Sequence, residues 1–301
     1  MNFTYKYQAI IEGRYVWAEK SFSTKSELLN YLVGEKENIL AQKKAIIKFA
    51  EGGLSAMWST SKGHLTDKAK PLYENDEEKG IVKRTVVANT YWWMDSHSDV
   101  HIGRNDGSDV ALFSESIASK GNKIPPMDQH KWDLDSVMGK TLNIYEAPIS
   151  WRALGVGKTG MTEALFADVE IQKAKNARRY ENYKNDEIDQ HSVGMRYQDI
   201  QLAVDDPEEY PKEYAVWNKF IGKIGNRQEV EKQGYFFPVM KAELREYSAV
   251  IAGSNILTPT MGGSMPAGSA KGHSSVERDE QLLKATNQLL FNLKLNEICQ
   301  K

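Results

Sequence analysis

Five runs of β-branched and aromatic residues between Ile81 and Gly253 constrain this chain more than any other feature. They read IVKRTVVANTYWW, TLNIYEAPISWRAL, TEALFADVEI, HSVGMRYQDIQLAV and ELREYSAVIAG. Runs of this composition pack as strands. Few helical patterns interrupt them: VALFSESIAS, KNARRYENYKN and DPEEYPKEYAVWNKFIGKIG, the last expected to start its helix near Pro211. Many strands and few helices predict an α+β fold with a mostly antiparallel, barrel-like β core surrounded by helices.

The same periodicity disposes of a tempting motif. RALGVGKT, from Arg152 to Thr159, looks like a phosphate-cradling loop. Such a loop needs a glycine where this chain has Arg152, and it should lead into a helix facing the anion. It leads instead into TEALFADVEI, where Leu165, Ala167, Val169 and Ile171 alternate with mostly polar neighbours. A period of two is a strand, so the glycines are expected to turn a hairpin.

Composition narrows the class of function. Of 301 residues, 41% are hydrophobic and 27% charged, which suits a globular protein. A net charge of −2 gives no general attraction to nucleic acid or to an anionic membrane. No apolar run is long enough to span a bilayer, and the opening MNFTYKYQAIIEGRYVW lacks a basic-then-apolar signal layout. The single cysteine, Cys299, excludes an internal disulfide and a multi-cysteine zinc site. A cytosolic protein, or one housed in something assembled there, is expected.

Residues 1–67 form an N-terminal α/β extension, with two strands hinged at Glu12-Gly13, a helix over SELLNYLV and the Lys-rich KENILAQKKAIIKFA. KAKPLYENDEEKG, residues 68–80, is charged and aperiodic and reads as a linker. The main domain covers 81–252. Residues 253–274, rich in Gly, Ser and Pro, are expected to be a flexible tether. An amphipathic helix over 275–301 comes next, opened by a Ser274–Glu277 capping box and striped with Leu282, Ala285, Leu289, Leu290 and Leu293. Such a helix docks on a partner or on its own domain.

Two histidine groupings could carry chemistry. In DSHSDVH, His97 and His101 stand four apart beside Asp95 and Asp99, a spacing that can present two imidazoles to a metal. No HExxH glutamate and no third ligand accompany them, so a solvated turn after the aromatic strand is the plainer expectation. The second grouping joins PPMDQHKW around His130 with DQHSVGMRY around Ser192. A rim histidine titrates near neutrality and serves as a general base. A serine ahead of a small residue and Gly194 can sit on tight backbone with N–H groups nearby, as acyl transfer needs. Taken alone, each of these residues is more simply a structural polar group, and spacing does not bring them together.

From TYWWMDSHSDVH to LREYSAVIAGSN, through IPPMDQHKWDLDSVMGK and DQHSVGMRYQDI, the chain resembles the tailed-phage prohead (capsid maturation) serine protease family, itself distantly similar to herpesvirus assemblin. The resemblance implies that Ser192 is the nucleophile, His130 the general base and Glu246, in an L-x-E-x-S-x-V segment, the third member. Glu243 is a fallback for that third role, as is His191, since assemblins use a second histidine. The resemblance also implies a serine endopeptidase that cleaves scaffold, capsid protein and itself inside the procapsid, in the host cytoplasm. Its partners would be the major capsid protein and the scaffolding protein or scaffold segment. Self-association is left open, and no cofactor or metal is implied. Two rivals stand beside this: a catalytically inactive assembly or scaffolding factor, and a metal-dependent hydrolase built on His97 and His101.

Overall fold

A computed structural model of the chain describes residues 3–11, 14–48, 71–105 and 107–262. In chain order its elements are β1 (Phe3–Ile11), β2 (Arg14–Phe22), α1 (Lys25–Gly34), α2 (Lys36–Ala45), β3 (Tyr73–Asp76), β4 (Ile81–Thr90) and β5 (Asp99–His101). Next come α3 (Ser114–Lys120), β6 (Pro126–Asp128), β7 (Gly139–Ser150), β8 (Met161–Gln172), α4 (Ala177–Lys184), β9 (His191–Ile200) and β10 (Ala203–Val204). The last are α5 (Pro211–Phe220), α6 (Arg227–Gln233), β11 (Tyr235–Ala249) and β12 (Thr260–Met261). The fold is mixed, with helices around mostly antiparallel sheets. Among the described residues no closed barrel forms, and no helix is long and apolar enough to cross a membrane.

Two five-stranded sheets carry the architecture. One runs β12-β4-β8-β7 with β3 also on β4, all antiparallel. Its β7–β8 hairpin pairs Ser150 with Met161, so the glycine-rich RALGVGKT segment is the connection between two strands and no phosphate loop. The other sheet is organised on β11, with β9 and β10 antiparallel to it and β5 and β6 parallel. That strand is 15 residues long, which lets it pair β5 at Phe237–Val239 and β6 at Tyr247–Ala249.

Three domain boundaries differ from the sequence reading. Residues 3–48 belong to the same compact unit as the rest, because Tyr5, Leu28, Leu32 and Ile39 join its hydrophobic core. Fully burying each such side chain contributes about 1.5–3 kcal/mol, more than a separate extension could forgo. Residues 73–76 of the expected linker form β3, anchored by fully buried Arg84, whose guanidinium donates to Glu74 O at 3.0 Å and Asn75 Oδ1 at 2.9 Å. The expected tether begins later. Leu257, Thr258 and Met261 are buried, and β12 pairs with β4, so the chain is held in the sheet as far as 262. The amphipathic helix expected over 275–301 lies outside the described residues.

Candidate active site

β9 and β11 lie side by side, and their register decides which side chains meet. Ser192 is opposite Ser248, and Gly194 is opposite Glu246. Directly opposed residues share one face of an antiparallel pair, with Cβ atoms about 5 Å apart. One face therefore carries Ser192 and Gly194 from β9 beside Glu246 and Ser248 from β11. Glu246 and Ser248 are completely buried and Ser192 nearly so.

His130 reaches this face from the chain just past β6. Because β6 runs parallel to the end of β11, the residues after Asp128 emerge beside Ser248. There the backbone turns through two consecutive left-handed residues, Gln129 at φ 50° and His130 at φ 56°. Neither is glycine, and such residues cost on the order of 1–3 kcal/mol each, a strain that concentrates at functional sites. Tertiary hydrogen bonds hold it. Gln129 N donates to Ala249 O at 3.0 Å, and His130 N donates to Ser248 Oγ at 3.0 Å.

The imidazole of His130 then meets Glu246, with Nδ1 to Oε1 at 2.6 Å and both side chains buried. A carboxylate only accepts, so Nδ1 carries the proton in this bond and Nε2 is the basic nitrogen of the neutral ring. The second oxygen, Glu246 Oε2, accepts from Ser248 Oγ at 2.6 Å. The hydroxyl of Ser248 is committed to Glu246 and is wholly buried. The serine left on that face for a base to activate is Ser192.

The alternatives for the third member go elsewhere. His191 sits on the opposite face of β9, where Nδ1 donates to Thr258 O at 3.0 Å and Nε2 accepts from the Tyr183 hydroxyl at 2.9 Å. Burial pushes its pKa down to about 4, so it stays neutral. Glu243 pairs with Lys120 at 2.8 Å and Arg245 at 3.1 Å, and those contacts hold its carboxyl below the ordinary range. Gly194 lies inside β9 and not in a turn, so the expected tight backbone around the serine is replaced by regular strand. A cleft of ≈190 Å³ is lined by Gln129, Arg179, Asn182, Asp189, Ala249 and Ile251, and none of Ser192, His130 and Glu246 lines it.

The DSHSDVH segment is no solvated turn. Asp95, His97, Asp99 and His101 are all buried, and the charge compensation comes from the N-terminal region. Lys43 of α2 bonds Asp99 Oδ1, Lys48 lies 3.4 Å from Asp99 Oδ2, and the Tyr197 hydroxyl donates to Oδ2 at 2.7 Å. Burial alone would raise the Asp99 carboxyl, but the two ammoniums hold it well below the usual range. Burial in turn lowers Lys43 to about 8 against the pull of Asp99. Lys48 also ties this segment to β9, its backbone N–H donating to Met195 O at 2.8 Å.

Ligand atoms of Asp95, His97 and Asp99 lie within 4.8 Å of one another. They suit a metal poorly, because both oxygens of Asp99 already meet ammonium groups or a phenol. His101 stands apart, its ring nitrogens 3.0 Å from Asn89 Oδ1 and 3.3 Å from the Tyr197 hydroxyl. The void between this segment and β9, lined by Asp95, His97, His101 and also Ser192, is ≈10 Å³, about the room of one water.

Sequence reasoning missed Ser248, Lys43, Lys48 and the left-handed pair at Gln129-His130. Only Ser248 left a signal: two residues after Glu246 in a strand, it shares that residue's face. No known protein-family model matches the chain, and neither a curated protein nor a solved structure is significantly similar to it.

Proposed function

We propose that this chain is a serine endopeptidase of the prohead-maturation type. The observation that carries the reading is the buried 2.6 Å bond from His130 Nδ1 to Glu246, on the sheet face that also carries Ser192. His130, Ser192 and Glu246, separated by 62 and 54 positions, have the chemistry of an acyl-transfer triad, and the His130–Glu246 bond beside the cross-strand pair Ser192–Ser248 supports that reading. Ser192 Oγ attacks the scissile carbonyl while His130 Nε2 takes its proton. The tetrahedral intermediate collapses as His130 returns that proton to the leaving amine. Water, deprotonated by the same nitrogen, then releases the acyl group and regenerates Ser192. Glu246 holds the ring tautomer and stabilises the imidazolium.

By the same resemblance, the sheets and helices would correspond to the barrel-like β core of prohead proteases, although no closed barrel forms among the described residues. The substrates are the scaffolding protein or scaffold segment, the capsid protein and the protease itself, and the work is done inside the procapsid. Co-expression with the neighbouring capsid and scaffold genes, read by intact mass, tests this. Shortened chains with wild type and full-length chains with Ser192→Ala and Glu246→Gln are expected. Glu246→Gln should slow cleavage by about 10²–10⁴-fold, as loss of the orienting carboxylate does elsewhere. Identical truncation with Ser192→Ala would remove Ser192 as nucleophile. Full-length chains throughout would favour an inactive assembly factor.

A further inference from the structure

We infer that Ser248 is a positioning residue that locks the base and its carboxylate into one rigid unit; this rests on the protease reading above. One hydroxyl makes both connections. It accepts the backbone N–H of His130 at 3.0 Å and donates to Glu246 Oε2 at 2.6 Å. Glu246 in turn fixes the ring of the same histidine through its other oxygen. Ser248, His130 and Glu246 thus close a loop of three hydrogen bonds, with Ser248 holding the main chain and Glu246 the side chain.

The geometry makes this loop consequential. His130 and Gln129 sit in left-handed backbone that neither residue favours, and the His130 N–H is donated to the Ser248 hydroxyl. Without that acceptor His130 keeps the neighbouring tie of Gln129 N to Ala249 O but relaxes toward ordinary φ, swinging the imidazole off the carboxylate and away from β9. The same hydroxyl restrains the carboxylate by occupying its second oxygen, so Glu246 presents Oε1 alone to the ring. Ser248 is also the cross-strand partner of Ser192, so the unit is built against the nucleophile's own strand position. It does not compete as nucleophile, being wholly buried with its proton held by a carboxylate. A catalytic distance drifting by about 1 Å costs on the order of 10²-fold in rate.

The test needs no knowledge of the natural substrate. A fluorophosphonate probe phosphonylates a serine that a base activates, fluoride leaving as the serine oxygen bonds phosphorus, and its rate and saturation can be read on the full-length protein by intact mass and peptide mapping. Wild type is expected to label at Ser192, and Ser192→Ala not to label. Ser248→Ala should label at Ser192 about 10–100-fold more slowly at saturating probe, with the half-saturating concentration within about twofold. Ser248→Thr keeps the hydroxyl and Ser248→Val has the same shape without it, so the pair separates hydrogen bonding from packing. Thr should recover most of the rate and Val should behave as Ala. Labelling at the wild-type rate in Ser248→Ala, or equal rates for Thr and Val in proteins of equal melting temperature, would overturn the positioning role. Wild type that fails to label, or Ser192→Ala that labels like wild type, would instead overturn the protease reading itself. Loss of labelling in Ser248→Ala with modification mapped to Ser248 in wild type would overturn both.

Discussion

Acidification from about pH 7.5 to about pH 5 should loosen this protein steeply, and three buried histidines set the size of the effect. Burial pushes His97, His101 and His191 each down to about 4. In the unfolded chain each returns to about 6.5. A depressed histidine stays neutral in the fold, so the unfolded state binds more protons between about pH 6.5 and 4, and stability falls as pH falls through that window. At pH 5 the linkage amounts to about 2 kcal/mol per histidine, or about 6 kcal/mol for three. That is a large part of the 5–15 kcal/mol of an ordinary domain. Asp99, held low, loses its contribution only at still lower pH, and Asp95, raised by burial, works in the opposite direction. Thermal unfolding followed by circular dichroism should show Tm falling by roughly 10–25 °C between the two pH values. His101→Gln, which cannot titrate, should remove about one third of that fall. A Tm that holds to within about 3 °C from pH 7.5 to 5 would refute the reasoning, since neutral buried imidazoles could not then be what the fold contains.

Two further outcomes come from packing and charge. Lys43→Met removes an ammonium from fully buried Asp99, leaving Lys48 and Tyr197. Urea denaturation should show a loss of about 3 kcal/mol, and adding Asp99→Asn should recover more than half of it, because the cost is mainly an uncompensated charge. Gly139→Ala would put a Cβ 1.8 Å from Glu170 O, where β7 begins beside β8. The strands would have to part, at a cost of about 3 kcal/mol or more, whereas a loss under about 1 kcal/mol would mean that the pair is not this close.

Local order was legible because it is written in neighbouring residues. The alternation after RALGVGKT marked a hairpin, and β7–β8 is one. Pro211 marked where a helix starts, and α5 begins there, since proline's fixed φ and missing N–H suit a first turn. The long strands β4, β7, β8 and β9 and the helices α3, α4 and α5 were readable for the same reason, whereas the three-residue strands β5 and β6 were not. DSHSDVH misled because its environment is distant in sequence. Its solvation was judged from its own polarity, while Lys43 and Lys48 neutralise it from about fifty residues upstream.

The sequence by itself determined the α+β class and the positions of most strands, and it named the Ser, His and Glu that the proposed triad draws on. Periodicity and turn chemistry act over a few residues, so one chain suffices to read them. Tertiary structure alone decided that the described strands form a two-stranded and two five-stranded sheets with no closed barrel, and that residues 3–48 and 253–262 belong to the same unit. It alone set the β9–β11 register, which puts Ser192 and Glu246 on one face and His191 on the other. A shift of one residue would reverse those faces while leaving every local pattern intact. Register is fixed by which side chains bury together across the whole core, and no short stretch of sequence contains that sum.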